Sequence, residues 1–423
     1  VTDLDTPERG AVTGTGVRSR PRAALPALCV TQITGWGIVY YAFPALNPQI
    51  TTATGWPTGA TTAAFSAALL VSAVAGIRVG RIIDRHGPRT VMTTGSVLGV
   101  LSILIIASAP NLPVFIAGWL LAGLAMAGTF YQPAFAALTR WWAPDHVRAL
   151  TVVTLAGGLA STVFAPLTAA LADHLSWRAT YAVLALILAV VTIPAHALAL
   201  KAPWPEPSAP TAPHIDGGAE KVARTRPFRL LAATLTLSAF AVSAAVIALV
   251  PLMTERGYTS TEAAWALGLG GAGQTLGRTL YATLARRTSP TARTVTLVGL
   301  GALTTAALAV TPGPYALLLA LSVAAGTVRG NLTLLQATAV TDRWGTTHYG
   351  RLSGLLAAPT TTASAVAPFA GAAIAAPLGG HPQLFIALAA VSAAACLTGF
   401  STAPTRAGSS HGRTPGATRA SPR

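Results

Sequence analysis

The sequence predicts an all-α polytopic membrane protein with twelve transmembrane helices in two pseudo-symmetric six-helix bundles. Three observations lead there. Of the 423 residues, 52% are hydrophobic and only 9% charged, whereas a soluble domain carries about 25% charged residues. Apolar runs follow one another along the chain, each long enough to cross a hydrocarbon layer of roughly 30 Å. The basic residues then fall in alternate loops of the resulting map, as the positive-inside bias requires.

In chain order, residues 1–22 are polar, hold Arg9, Arg18, Arg20 and Arg22, and lack a cleavable signal, so they are expected to form a cytoplasmic tail. Spans are predicted at 23–46, 57–79, 90–109, 112–138, 148–171, 178–199, 229–252, 262–285, 293–311, 314–340, 349–375 and 382–402. Glycines and prolines within them (Gly95, Gly99, Gly157, Gly158, Pro166, Pro368) are compatible with close-packed membrane helices. After the sixth span comes KAPWPEPSAPTAPHIDGGAEKVARTR, a polar, proline-rich stretch that cannot build a core. It divides the chain into an N-terminal bundle (23–200), a cytoplasmic linker (201–228), a C-terminal bundle (229–402) and a cytoplasmic tail (403–423).

The charge map tests this topology. With both termini inside, 24 of the 28 Lys and Arg residues lie on the cytoplasmic side. Only Arg178 and Arg256 fall outside, while Arg278 and Arg329 lie within spans. The loops at 47–56, 110–111, 312–313 and 376–381 hold no Lys or Arg. A multi-pass protein of the inner (plasma) membrane is the expectation, with the bilayer as its surroundings and a monomer as the functional unit. The net charge of +16 is not a nucleic-acid signal, because no aromatic-basic stripe or zinc-ligand spacing accompanies it. No P-loop follows a strand, and no Ser, Cys or His constellation points to catalysis, so neither an enzyme nor a cofactor or metal is predicted. Cys29 and Cys396 read as small buried side chains.

The halves echo each other. Gly128-Thr129 returns as Gly326-Thr327, Trp142 as Trp344, Ala165-Pro166 as Ala367-Pro368, and Gly76 with Arg85 as Gly277 with Arg286, all offset by 198 to 202 residues. Duplicated bundles imply alternating access, with a site near mid-membrane between them.

Between spans 2 and 3 the chain reads GRIIDRHGPR, a concentration of charge after some twenty nearly uncharged residues. Here, over roughly residues 23–402, the chain resembles the major facilitator superfamily: Gly80, Asp84, Arg85, Gly87 and Arg89 match its loop signature, which the resemblance implies latches the halves outward-facing. Pro88 replaces a basic residue, and Ala285 replaces an acidic one in the second copy. TGWGIVYYAFPALNP in span 1, WWAPDHVRALTVVTLAGG leading into span 5 and GQTLGR in span 8 are similar to the monocarboxylate and oxalate/formate branch. That branch places a carboxylate-binding arginine where Arg278 stands. It also implies a lysine and an acid for proton coupling, where this chain has Ala45 and Gln274. All twelve Asp and Glu residues are expected in tails, loops or helix ends, and no carboxylate or histidine is expected well inside a span, so proton coupling is not predicted.

A charge within a span must face the bundle interior or a water-filled path. Arg278 is therefore read as either a carboxylate fork or a cap snorkelling at the cytoplasmic end, and Arg329 as either a cavity residue or a polar tie between helices. Gln32, Tyr40, Tyr41, Tyr131 and Gln132, together with Gln274 and Asn331, are the neutral groups that could orient a solute or bond neighbouring helices. The expected function is secondary active or facilitative transport of a small, monocarboxylate-like organic anion. The alternative is export of drug-like or secondary-metabolite compounds, with a hydrophobic small molecule as partner.

Overall fold

The computed structural model describes residues 21–143, 145–205 and 218–402. The predicted tails beyond Pro21, Arg22 and Thr402, and linker positions 206–217, lie outside the described residues. Among these residues the protein is all-helical. In order, α1 covers 24–54, α2 Thr58–His86, α3 Pro88–Ser108, α4 Leu112–Trp141, α5 His146–His174 and α6 Trp177–Ala199. A short α7 (Gly218–Arg224) precedes α8 Arg226–Glu255, α9 Ser260–Arg287, α10 Pro290–Val310 and α11 Tyr315–Thr338. Short α12 (Thr341–Trp344), α13 Tyr349–Leu378 and α14 His381–Thr402 complete the chain. Nine of these helices are long and apolar enough to cross a bilayer, and α13, bent by 53°, makes ten. This is a polytopic membrane protein. The two long helices outside that set are α1, interrupted by a π-helical turn at Trp36–Tyr41, and α9, whose apolar content is diluted by five glycines and four charged residues.

Helices outrun the predicted spans at the basic end. The GRIIDRHGPR stretch was expected to be a turn, but α2 continues through it to His86. The whole connection is Gly87, at φ 79°, a conformation glycine adopts without a Cβ penalty, and Pro88 then opens α3 at its first turn. Backbone bonding inside a helix does not depend on apolar side chains, so the helix outlasts the hydrophobic run.

Three apolar clusters organise the packing. One joins residues from both ends of the chain near the arginine-rich turn, including Leu28, Ile83, Phe135, Leu150, Tyr281 and Leu352. The other two are separate: Ile38, Phe43, Phe115 and Trp119 with their neighbours within α1–α6, and Leu249, Leu252, Leu318 and Phe385 with theirs within α8–α14. Among the described residues, the N-terminal and C-terminal helices therefore share a buried apolar cluster at the basic end only.

Helices α9 and α11 meet backbone to backbone. A Cβ on Gly326 would lie 1.9 Å from the Gly270 carbonyl oxygen, and one on Gly330 2.0 Å from that of Gln274. Gly273 and Gly277 abut the carbonyls of Val323 and Thr327 in the same way, at 2.2 and 2.0 Å. Small residues permit this approach where no hydrophobic effect drives helices together in lipid. Gly326→Ala should lower thermal stability in detergent by about 1–3 kcal/mol through overpacking. An unchanged unfolding curve would show that the helices can separate freely.

The two arginines that break the charge rule have local work. Arg178 donates to the Ala109 carbonyl (2.6 Å) just past α3, and Arg256 to the Leu308 and Ala309 carbonyls (both 2.7 Å) near the end of α10. Both cap helix C-termini, where a cation complements the dipole. His196 corrects the expectation that no histidine lies inside a span. It is buried in α6, bonded to Ser96 (2.7 Å) and Thr31 (3.0 Å), and ties α1, α3 and α6 together. Cys29 and Cys396 are half-buried free thiols.

Candidate functional site

Three of the N-terminal helices are broken near their middles. Helix α1 takes its π-turn at Trp36–Tyr41, α4 opens at Phe130 (φ −76°, ψ −158°), and α5 breaks at Leu159 after Gly157-Gly158. Irregular backbone at such depth is tolerated where it is buried in protein or lines a cavity. Here all three breaks border one. A cavity of about 660 Å³ lies between them and α9, lined by Trp36, Tyr41, Tyr131, Gly158, Gln274 and Arg278.

Arg278 crosses this space. It is 7% exposed and donates from Nη1 to the Thr154 carbonyl in α5 (2.8 Å), while its Nε has no partner. The Tyr131 hydroxyl donates to the same carbonyl at 3.5 Å. The glycine pair makes the room: a Cβ on Gly158 would sit 2.4 Å from the Arg278 Nη1, and one on Gly157 2.4 Å from the Tyr131 hydroxyl. Arg329 is half-buried in α11, lines a cleft of about 50 Å³ with Ser322 and Phe385, and makes no hydrogen bond among the described residues. It lies within electrostatic reach of Arg278 and Tyr41. No carboxylate lines any of these cavities.

A second cavity of about 240 Å³ shares Trp36, Tyr131 and Thr333 with the first and extends toward the basic end. Its wall is aromatic. Trp36 stacks on Phe130 at 4.2 Å between centroids, and Tyr131 on Phe135 at 5.1 Å. Gln132 lines this cavity, seated against Gly76.

The sequence candidates thus divide. Tyr41, Tyr131, Gln274 and Arg278 converge on the larger cavity and Gln132 on the smaller. Gln32 is 1% exposed, and its amide donates to the Thr129 (2.7 Å) and Phe130 (3.4 Å) carbonyls that the break in α4 leaves free. Tyr40 packs among Trp36, Tyr41 and Phe65. Asn331 is buried under Gly277 and donates to the Thr327 carbonyl (2.9 Å) of its own helix. Gln32→Leu should cost about 1–3 kcal/mol of stability, because two buried carbonyls lose their donor. Because the Gln32 Oε1 also accepts from Nε1 of the cavity residue Trp36 (3.2 Å), ligand affinity should fall only as far as Trp36 is displaced; a loss as large as that of Arg278→Ala would make Gln32 a solute contact.

At the basic end, Asp84 accepts from the backbone N–H of Gly350 (2.9 Å) and Arg351 (2.8 Å), in the first turn of α13. Its own carbonyl accepts from Arg140 (3.0 Å) and Trp204 (3.2 Å). A Cβ on Gly80 would lie 2.0 Å from the Gly350 carbonyl oxygen, so α2 and α13 touch through backbone. Gly87 packs under Trp204, Arg89 caps α6 at the Ala197 carbonyl (2.9 Å), and Arg85 is exposed. Residues missed by the sequence reading include Thr154, Phe135, Thr333 and Trp204. Only the Gly157-Gly158 pair signalled any of this, as a place where something must come close.

The family model described as Major Facilitator Superfamily matches residues 28–356 and 231–422. Among curated proteins, the uncharacterized MFS-type transporter YcxA of Bacillus subtilis is 29% identical over 140 residues, 32% of this chain and 33% of that protein. An uncharacterized 38 kDa protein in the 23S RNA operon of Thermoproteus tenax is 32% identical over 134 residues, 32% of this chain and 36% of that one. The match thus spans about a third of the length of these curated relatives. Among solved structures, the Escherichia coli fucose:proton symporter FucP superposes with a TM-score of 0.71 at 14% identity, covering 92% of this chain and 100% of that one. The human organic anion transporter MFSD10 does so with a TM-score of 0.68 at 18% identity, covering 90% and 100%. At these identities the likeness concerns the fold alone.

Proposed function

Because the chain belongs to the major facilitator superfamily, we propose that it is a secondary active or facilitative transporter of a small organic anion with a monocarboxylate-like headgroup, working by alternating access. The observation that carries this reading is a pair of intramembrane arginines, Arg278 in the larger cavity and Arg329 in a separate cleft, with no carboxylate lining either. Among the described residues the Arg278 guanidinium makes one hydrogen bond, to an uncharged carbonyl, and the Arg329 guanidinium makes none. Two uncompensated cations in a low-dielectric site are costly until an anion enters. The planar guanidinium matches a carboxylate's two oxygens.

The topology that goes with this reading is twelve crossings, counting α1 and α9, in bundles at 23–200 and 229–402, with both termini in the cytoplasm of a cell whose inner membrane it spans. The basic end is then cytoplasmic. Since the described helices of the two bundles share a buried apolar cluster there and nowhere else, the state described is closed to the cytoplasm and outward-facing, with Asp84, Gly80 and Gly87 forming the gate. Gln274 and Ala45 stand where a proton-coupled carrier needs an acid and a lysine, which favours anion exchange or uniport. The aromatic wall of the smaller cavity favours one second reading, export of hydrophobic compounds.

Thermal unfolding of the purified, detergent-solubilised protein separates the two, since a ligand that prefers the folded state raises its apparent stability. Carboxylates should stabilise it, and hydrophobic cations should not. The reverse ranking would replace the anion carrier with the exporter.

A further inference from the structure

We propose that the substrate is an aryl-alkanoate-type acid: one carboxylate joined by a short chain to an apolar body the size of a single aromatic ring. This rests on the anion reading above and goes beyond it by assigning the second cavity. The two cavities adjoin across Trp36, Tyr131 and Thr333, which line both, so a ligand that parts these side chains occupies the two as one bipartite site. Their chemistry differs. The larger holds Arg278 with its unpartnered Nε. The smaller is walled by Trp36, Phe130, Phe135 and Met126, with amides and hydroxyls such as Gln336 and Ser353 at its α11–α13 side.

The volume suits a ring. An enclosed apolar cavity of about 150 Å³ already takes up benzene, and here about 240 Å³ is available. A one- or two-carbon acid at Arg278 would leave that space against stacked aromatic faces. Tyr131 sets the length required. Its hydroxyl sits on the Thr154 carbonyl that Arg278 also engages, while its ring stacks on Phe135. A ligand lying alongside Tyr131 therefore needs an acidic head and an aromatic body separated by about one tyrosine side chain. The polar groups beyond the ring would accept a hydroxyl substituent on it.

The test uses the full-length protein in detergent, titrated with acetate, propionate, 3-phenylpropionate and the neutral 3-phenylpropionamide, with binding read by thermal shift and calorimetry. The acid with the ring should bind at least about 30-fold more tightly than acetate, from burial of the ring's apolar surface. The amide should not bind measurably. Thr361→Phe, which places a ring in the smaller cavity, should collapse the ratio of 3-phenylpropionate to acetate affinity. Equal affinities for acetate and 3-phenylpropionate overturn the bipartite site and leave the anion carrier standing. Binding of the amide as tight as that of the acid removes the charge requirement and overturns the anion reading itself. Failure of every carboxylate to bind overturns both.

Discussion

Arg278→Ala loses the carboxylate-induced rise in melting temperature and weakens anion binding on the order of a hundredfold. Two charge-assisted hydrogen bonds to a carboxylate are worth roughly 3–6 kcal/mol together, and giving up the guanidinium's bond to the Thr154 carbonyl offsets about 1.5 kcal/mol of that. The remainder, about 1.5–4.5 kcal/mol, brackets the 2.7 kcal/mol that a hundredfold change in Kd represents. The ligand-free variant should unfold only slightly earlier than wild type, since one neutral tie between α9 and α5 is lost. Arg278→Lys distinguishes charge from shape: a lysine keeps the cation but not the fork, so it should retain carboxylate selectivity at reduced affinity. If Arg278→Ala binds carboxylates normally, the residue is a structural tie between α9 and α5 and nothing more.

Asp84→Ala should open the basic end. The carboxylate holds two backbone N–H groups in the first turn of α13, where a helix leaves donors unsatisfied and its dipole favours negative charge. Losing both bonds costs the closed gate about 3–6 kcal/mol, enough to move a carrier held mostly outward-facing to one that faces mostly inward. Hydrogen–deuterium exchange over residues 345–355 reads this directly, because the Gly350 and Arg351 amides should lose protection. A Ser353→Cys reporter should gain reactivity toward an impermeant thiol reagent applied to the basic side. Unchanged protection in the Asp84→Ala protein would mean that the Gly80–Gly350 backbone contact closes the gate without the carboxylate.

The helices were legible in the sequence because lipid demands long apolar runs. Arg278 was legible for the same reason: a cation inside an apolar run needs an explanation. The faces of α1 were not. Its π-turn at Trp36–Tyr41 shifts the helical phase, so Gln32 before the turn and Tyr41 within it point to different surroundings although both read as polar groups in one span. The break at Phe130 was marked only by Pro133, whose missing N–H leaves the Thr129 carbonyl to accept from Gln32 instead, a tertiary bond that no local pattern names. The acceptor for Arg278 is a backbone carbonyl, which every residue has, so no side-chain pattern could have named Thr154. His196 was not legible, because its partners Ser96 and Thr31 lie far away in the chain.

The glycine contact between α9 and α11 has an electrostatic consequence. Gly277 adjoins Arg278 and Gly330 adjoins Arg329, and each glycine is pressed against the opposite backbone. The two cationic stems are therefore mounted on a single stiff plate, their spacing set by main chain rather than by rotamers. When the bundles rock, this plate behaves like a charged electrode of constant shape, and the wall that moves past it is the neutral one of Gly157, Gly158 and Tyr131. Like charges held together in this way keep the empty carrier under standing electrostatic tension. An arriving anion relieves that tension as Arg278 exchanges the Thr154 carbonyl for a carboxylate, and the α9–α11 backbone need not move to receive it.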